Sequence, residues 1–221
     1  MDMLIGLLAP HLCIACGVEG DVLCSECLAS AGDTIPSRCA GCQKISDNYE
    51  TCLACRKWLL ARSVYVATSY DSLYERLLRE LKFDCRKQAI KPIATIMYQQ
   101  LKNIEGCDVL CPLPTASARV RLRGFDHTQL LCRELSRKSG LSTQKLLKRS
   151  SNVRQVGANR QVRLTQLENE FKVKNAADVR GKSVLLVDDV TTTGASIAAS
   201  VKALKLAGAK SVSALVYAQK I

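Results

Sequence analysis

A chain of 221 residues with 48% apolar content has room for one α/β domain with a sizeable core plus a small module. The formal charge of +12 favours polyanionic ligands. The apolar stretch over residues 3–9 is far short of the roughly 20 residues a membrane helix needs, and it follows Asp2 rather than a basic segment. Neither a membrane span nor a secretory leader is predicted, so a cytoplasmic location is expected. In that reducing setting the twelve cysteines are not a disulfide scaffold.

The charge is unevenly spread. Residues 1–56 hold three basic side chains (Arg38, Lys44 and Arg56) against seven acidic ones, so the surplus of positive charge lies in residues 57–221. Such asymmetry predicts two modules, divided near residue 56. The first contains four C-x-x-C pairs: Cys13/Cys16, Cys24/Cys27, Cys39/Cys42 and Cys52/Cys55. One C-x-x-C turn brings two thiolates to a single metal, and two turns complete a tetrahedral shell. Eight thiols therefore predict two zinc sites of four cysteines each, a double zinc ribbon. An iron–sulfur site is the chemical alternative. Sequential pairing closes shorter loops than interleaved pairing and is preferred, although spacing alone allows both. With every ligand from protein, the zincs are expected to be structural, holding a segment poor in large hydrophobes. His11 reads as a surface residue.

After the cysteines, Val64, Tyr65 and Val66 predict a strand. Leu73, Leu77, Leu78 and Leu81 fall on one face of a helix, and residues 87–102 read as another. Residues 108–111 predict a buried strand ended by Pro112-Leu113-Pro114. Residues 115–124 then read as a loop carrying Arg119, Arg121, Arg123 and Gly124. Asp126-x-x-Gln129 has the form of a capping box at the start of a helix, where His127 reads as a first-turn surface histidine. Arg149 to Arg163 shows no hydrophobic period and reads as a basic loop, with Arg154, Gln155, Gly157, Arg160 and Arg163, able to close over a site. From Arg119 to Arg163 there are twelve Lys or Arg against Asp126 and Glu134. Cys85, Cys107, Cys111 and Cys132 read as buried thiols without a role.

Val184 to Val187 is an unbroken run of branched apolar residues, the signature of a strand buried on both faces of a parallel sheet. Asp188 and Asp189 follow, at the strand edge where ligands sit in open α/β sheets. Thr191, Thr192, Thr193, Gly194, Ala195 and Ser196 lead into a helix marked by Ile197, Val201 and Leu204. Free N–H groups, hydroxyls and a helix dipole converge there on a spot suited to a phosphate. Two adjacent carboxylates beside it suit the vicinal hydroxyls of a ribose.

This stretch resembles the signature of type I phosphoribosyltransferases for 5-phosphoribosyl 1-pyrophosphate (PRPP). The resemblance implies that Asp188 and Asp189 hold the ribose and serve the reaction, that Thr191 to Ser196 hold the 5-phosphate, and that the loop with Arg119, Arg121, Arg123 and Gly124 holds the pyrophosphate. Pro112-x-Pro114, Arg119-x-Arg121-x-Arg123-Gly124-Phe125, Arg149, Gln155-x-Gly157 and the run from Arg163 through Phe171 add a closer resemblance, to the ComF family of competence-associated phosphoribosyltransferase-like proteins, which often carry N-terminal double zinc ribbons. That family usually reads Gly-Phe-Asn-Gln where this chain has Gly124-Phe125-Asp126-His127, and has an asparagine near Gln166. The resemblance implies PRPP bound with Mg2+ and phosphoribosyl transfer to an unidentified acceptor. It also implies a link to DNA uptake, with single-stranded DNA and other competence or recombination proteins as partners. The alternative it leaves is a PRPP sensor that binds single-stranded DNA without catalysis. Ending at Ile221, the chain is expected to build any acceptor pocket from the cysteine module or residues 57–106.

Overall fold

The computed structural model describes residues 11–31, 35–150 and 170–220. At its centre five strands run parallel in the order β3 (Val64–Ser69), β9 (Ser211–Gln219), β8 (Ser183–Thr191), β4 (Val109–Pro112) and β5 (Ser142–Thr143). Val184, Leu185, Leu186 and Val187 are at most 2% exposed in the middle of this sheet. Burying each such side chain is worth roughly 1.5–3 kcal/mol, which fixes β8 as the spine.

The helices follow from the apolar periods. Helix α3 (Ser72–Lys82) buries Leu77, Leu78 and Leu81, and α4 (Ile90–Leu101) buries Ile93, Ala94 and Met97. Helix α6 (His127–Ser139) packs on α4, β4 and β8, and α7 (Ala195–Leu206) packs on β9. Between β4 and α6, residues 115–124 are not the expected loop. Ser117–Arg123 form a helix, α5. A short antiparallel ribbon of β6 (Leu147–Arg149) and β7 (Phe171–Val173) stands beside the sheet. Arg149, read as the start of a loop, closes β6 instead. Arg154, Gln155, Gly157, Arg160 and Arg163 lie outside the described residues.

The cysteine module is built twice on one plan. In the first half β1 (His11–Leu12) pairs with β2 (Glu19–Gly20), and Cys24 opens α1 (Ser25–Ser30). In the second, Arg38 bridges Ile45 and Cys52 opens α2 (Leu53–Leu59). The module rests on the sheet. The Gln219 side chain donates to Ala40 O at 3.1 Å, Thr51 N donates to Arg62 O at 2.9 Å, and the Tyr49 and Tyr65 rings lie 5.6 Å apart. Leu59, Val22 and Leu23 belong to the same buried cluster as the sheet residues.

Candidate functional site

Strand β8 runs four residues further than the apolar run alone predicts, through Thr191, because β9 extends beside it with Asp188 opposite Val216 and Thr191 opposite Gln219. The two aspartates are therefore ladder residues rather than solvent-facing ends. Being consecutive in a strand, they point to opposite faces, and their surroundings differ. Asp189 is 6% exposed; its Oδ2 lies 2.7 Å from Lys82 Nζ and 2.5 Å from His127 Nε2, and its Oδ1 accepts from Val190 N. Burial opposes ionisation of this carboxyl, but Lys82 and His127 outweigh it and hold Asp189 well below the usual carboxylate range. Asp188 is half-buried and accepts from Asp189 N at 2.9 Å. Burial first, then the charge on Asp189, pushes its carboxyl up to about 8.

His127 is a correction to the sequence reading: at 5% exposure it is buried rather than superficial. Its Nδ1 lies 2.6 Å from Arg123 Nη1. A guanidinium only donates, so Nδ1 is the acceptor, and the proton sits on Nε2 facing Asp189. Asp126 sets the ring's position. As the cap of α6 it accepts from Thr128 N at 3.1 Å and Gln129 N at 3.4 Å, and the Gln129 amide returns a bond of 2.9 Å. Asp126 caps the helix as the expected capping box requires, but Gln129 donates to the Asp126 carboxylate rather than bonding its backbone N–H, so only the cap half of the box forms; the acid that stands where the ComF pattern has an amide is engaged in it. No periodicity signals the His127–Asp189 contact, since the partners are 62 residues apart.

Helical geometry redistributes the three arginines. At 100° per residue, Arg119 and Arg123 share a face and Arg121 points away from both. Arg123 reaches His127 and donates from Nε to Lys82 O at 2.9 Å. Arg119 is exposed, and Gly124 ends the helix. Arg121 lines a separate cavity of about 400 Å³ with Lys145, Lys148, Arg149 and Lys174, and Asp126 is the one carboxylate among the described lining residues. Arg149 is partly neutralised there by Glu170, its Nε donating to Glu170 Oε1 at 2.6 Å.

The Thr loop is short. Thr191 closes β8, Thr192 is exposed, and Thr193 Oγ1 accepts from Ala195 N at 3.4 Å. Gly194 caps α7 with φ +74, a region that disfavours side chains. Behind it sit Leu59 and Trp58 of α2, 3.2 and 3.4 Å from where a Cβ would be. Ala195 and Ser196 then open the twelve-residue helix, so its free N–H groups gather beside the loop.

The cysteines gather in the sequential scheme. Cys13, Cys16, Cys24 and Cys27 form one cluster, and Cys39, Cys42, Cys52 and Cys55 the other, with the sulfurs of each within 4.8 Å of one another. Cys16 and Cys24 Sγ are 3.7 Å apart, as are Cys42 and Cys52. Zinc–sulfur bonds of about 2.3 Å in a tetrahedron place sulfurs about 3.8 Å apart, so both sets have the ligands and spacing for a zinc ion. In each, the backbone N–H opening the second turn (Cys24 or Cys52) donates to the first sulfur (Cys13 or Cys39) at 3.4 Å. Outside the clusters, Cys111 and Cys132 are buried as expected, but Cys85 is exposed.

The chain is similar in sequence to several known proteins. Residues 128–221 match the phosphoribosyl transferase domain family. The competence protein ComFC of Streptococcus pneumoniae is 27% identical over 197 residues, covering 88% of this chain and 86% of that protein. The DNA utilization protein YhgH of Salmonella typhimurium is 26% identical over 153 residues, 66% of each chain. YhgH of Escherichia coli O157:H7 is 25% identical over 223 residues, 93% of this chain and 96% of that one. Among solved structures, a B. subtilis glutamine PRPP amidotransferase aligns at 19% identity with a TM-score of 0.42, over 58% of this chain and 26% of that one. The chain thus joins a segment similar to the phosphoribosyl transferase domain to two four-cysteine clusters. The resemblance to ComF-type proteins drawn from its motifs is shown in the matches to ComFC and YhgH.

Proposed function

We propose that the chain binds PRPP at the end of β8 and transfers its phosphoribosyl group to an acceptor, in a role linked to DNA uptake. The observation that carries this reading is the pairing of an acid held ionised, Asp189, with the Gly194-capped start of α7 on one strand–loop–helix unit. Residues Thr191 to Ser196 would take the 5-phosphate through hydroxyls and free N–H groups. Asp188 and Asp189 would take the ribose hydroxyls, with Lys82 and His127 fixing the second carboxylate. Arg121 and the neighbouring lysines offer the positive field for the pyrophosphate; Arg123 acts through His127. Mg2+ fits here as a companion of the diphosphate, because Asp188 adds a hard oxygen ligand; when bound it neutralises charge on the leaving group. The protein's own part is positioning and charge stabilisation.

In the same reading residues 1–56 form a double zinc ribbon whose ions are structural, and residues 57–221 form the transferase-like domain, with α2 crossing the boundary. Phosphorus NMR tests the function. PRPP should shift its 5-phosphate signal on binding, more so with Mg2+, and free pyrophosphate should accumulate only when an acceptor is added. Absence of any shift at millimolar PRPP refutes the reading. The cluster of Lys145, Lys148 and Lys174 beside Arg121 favours a second one, in which PRPP is sensed and single-stranded DNA is bound. The relatives' names, competence and DNA utilization, support it. Binding with no pyrophosphate under any acceptor, together with DNA retention that falls steeply with salt, distinguishes it.

A further inference from the structure

A cavity of about 450 Å³ lies where the first cysteine knuckle meets the start of α3. Its apolar wall is Ala15, Ala31 and Leu73, and Glu26 and Asp71 add two carboxylates. No Lys or Arg is among the described lining residues, so a chain of formal charge +12 holds an acidic recess here. Neither carboxylate has an ion pair among the described residues. Asp71 stands at the cap position of α3, yet its carboxylate accepts no bond from that helix; the Ser69 hydroxyl is its donor. Tyr74 completes the lining. It is 5% exposed, and its ring meets Tyr217 edge-on at 6.3 Å. The Tyr217 hydroxyl donates to the Tyr74 carbonyl, which leaves the Tyr74 hydroxyl without a partner among the described residues. That hydroxyl is not one of the fully enclosed unpaired atoms, so it opens on the cavity Tyr74 lines. With zinc bound, the four thiolates that include Cys27 leave a net charge of about −2 at the cavity's edge.

Two unpaired carboxylates, a free phenol and an aliphatic wall select a cation that carries a methylene chain. We propose that this cavity binds an aliphatic diamine or polyamine. Its ammonium groups face Glu26, Asp71 and the Tyr74 hydroxyl, and its methylenes lie against Leu73 and the two alanines. Such a ligand has only donors at its charged ends and apolar surface between them, as a lysine stem does. The cavity's volume suits a small organic molecule of this kind. A bare divalent ion fits less well. It asks for about six oxygen ligands, and among the described residues metal-binding side chains gather in groups of three or more only at the two cysteine clusters. No lining residue belongs to β8 or to the Thr loop, so the proposal does not rest on PRPP binding.

The test uses the full chain loaded with zinc. Putrescine and spermidine are compared with butanediol, Mg2+ and arginine amide by calorimetry at low salt, and the organic probes also by saturation-transfer NMR. The amines should bind, butanediol should bind at least about tenfold more weakly, and added salt should weaken the amines. Asp71→Asn and Glu26→Gln should each weaken amine binding about five- to tenfold, and Tyr74→Phe, which keeps the ring, about three- to fivefold. Zinc content and melting temperature are measured alongside; if Glu26→Gln loses zinc, Asp71→Asn and Tyr74→Phe decide alone. No amine binding at millimolar concentration, equal binding of butanediol, or wild-type affinity in both Asp71→Asn and Tyr74→Phe overturns the proposal. Tighter binding of Mg2+ or arginine amide than of putrescine overturns it too, by assigning the recess to a metal ion or to the guanidinium of a protein partner.

Discussion

At the residue scale, Asp188 and Asp189 are chemically unlike although adjacent. Asp189 accepts from two donors, the Lys82 ammonium and His127, within 2.7 Å, and Asp188 faces the cost of burial beside a fixed negative charge. This difference sets a pH dependence. Folding raises the Asp188 carboxyl from 3.8 to about 8, so the native state favours its protonated form. That contribution to stability is complete below about pH 4 and is lost as the pH rises to about 8. The unliganded protein should therefore melt at progressively lower temperature across this window. Asp188→Asn should flatten the decline and melt higher than wild type at pH 8. For a chain of this size each kcal/mol corresponds to roughly 2–4 °C, which scanning calorimetry at several pH values resolves. Asp189 acts in the opposite sense: its depressed pKa contributes stability above about pH 4, lost only on further acidification.

At the element scale, the two cysteine knuckles end in helices that serve different neighbours, and the second supports the Thr loop. Gly41 shows how tightly it is built. A Cβ there would lie 2.7 Å from both Cβ and Sγ of Cys55 and 2.9 Å from Trp58, with no flexible end to give way. Gly41→Ala should displace Cys55, lower zinc content from about two ions per chain to about one, and destabilise the protein by roughly 1–3 kcal/mol, read by metal analysis and thermal melting. The sequence makes some of these elements plain and hides others. The C-x-x-C spacing carries the knuckles because ligand geometry is local, and the run Val184 to Val187 carries β8 because a strand buried on both faces has no polar alternation. Helix α5 is hidden because Leu122 is 89% exposed and Val120 only half-buried, so no apolar period marks it. Even spacing of Arg119, Arg121 and Arg123 then suggests one basic loop, where the helix sends Arg121 to another side. The burial of His127 depends on a partner from a distant strand, which no local pattern reports.

At the scale of the whole molecule, the cysteine module and the sheet residues share one buried cluster and meet at the proposed binding site. Leu59 and Trp58 stand behind Gly194, and Ala40 receives a bond from Gln219. Removing zinc with a strong chelator should thus do more than loosen residues 11–59. PRPP affinity should fall together with the melting temperature, and both should recover on adding zinc back. No helix among the described residues is long and apolar enough to cross a membrane. The central claim is that a sugar phosphate binds where β8 meets α7. Calorimetric titration of PRPP with Mg2+ into wild type and the joint Asp188→Asn, Asp189→Asn variant tests it most directly. The account predicts at least about a hundredfold loss of affinity in a variant that still folds, equivalent to about 2.7 kcal/mol; equal affinity in the two proteins would contradict it.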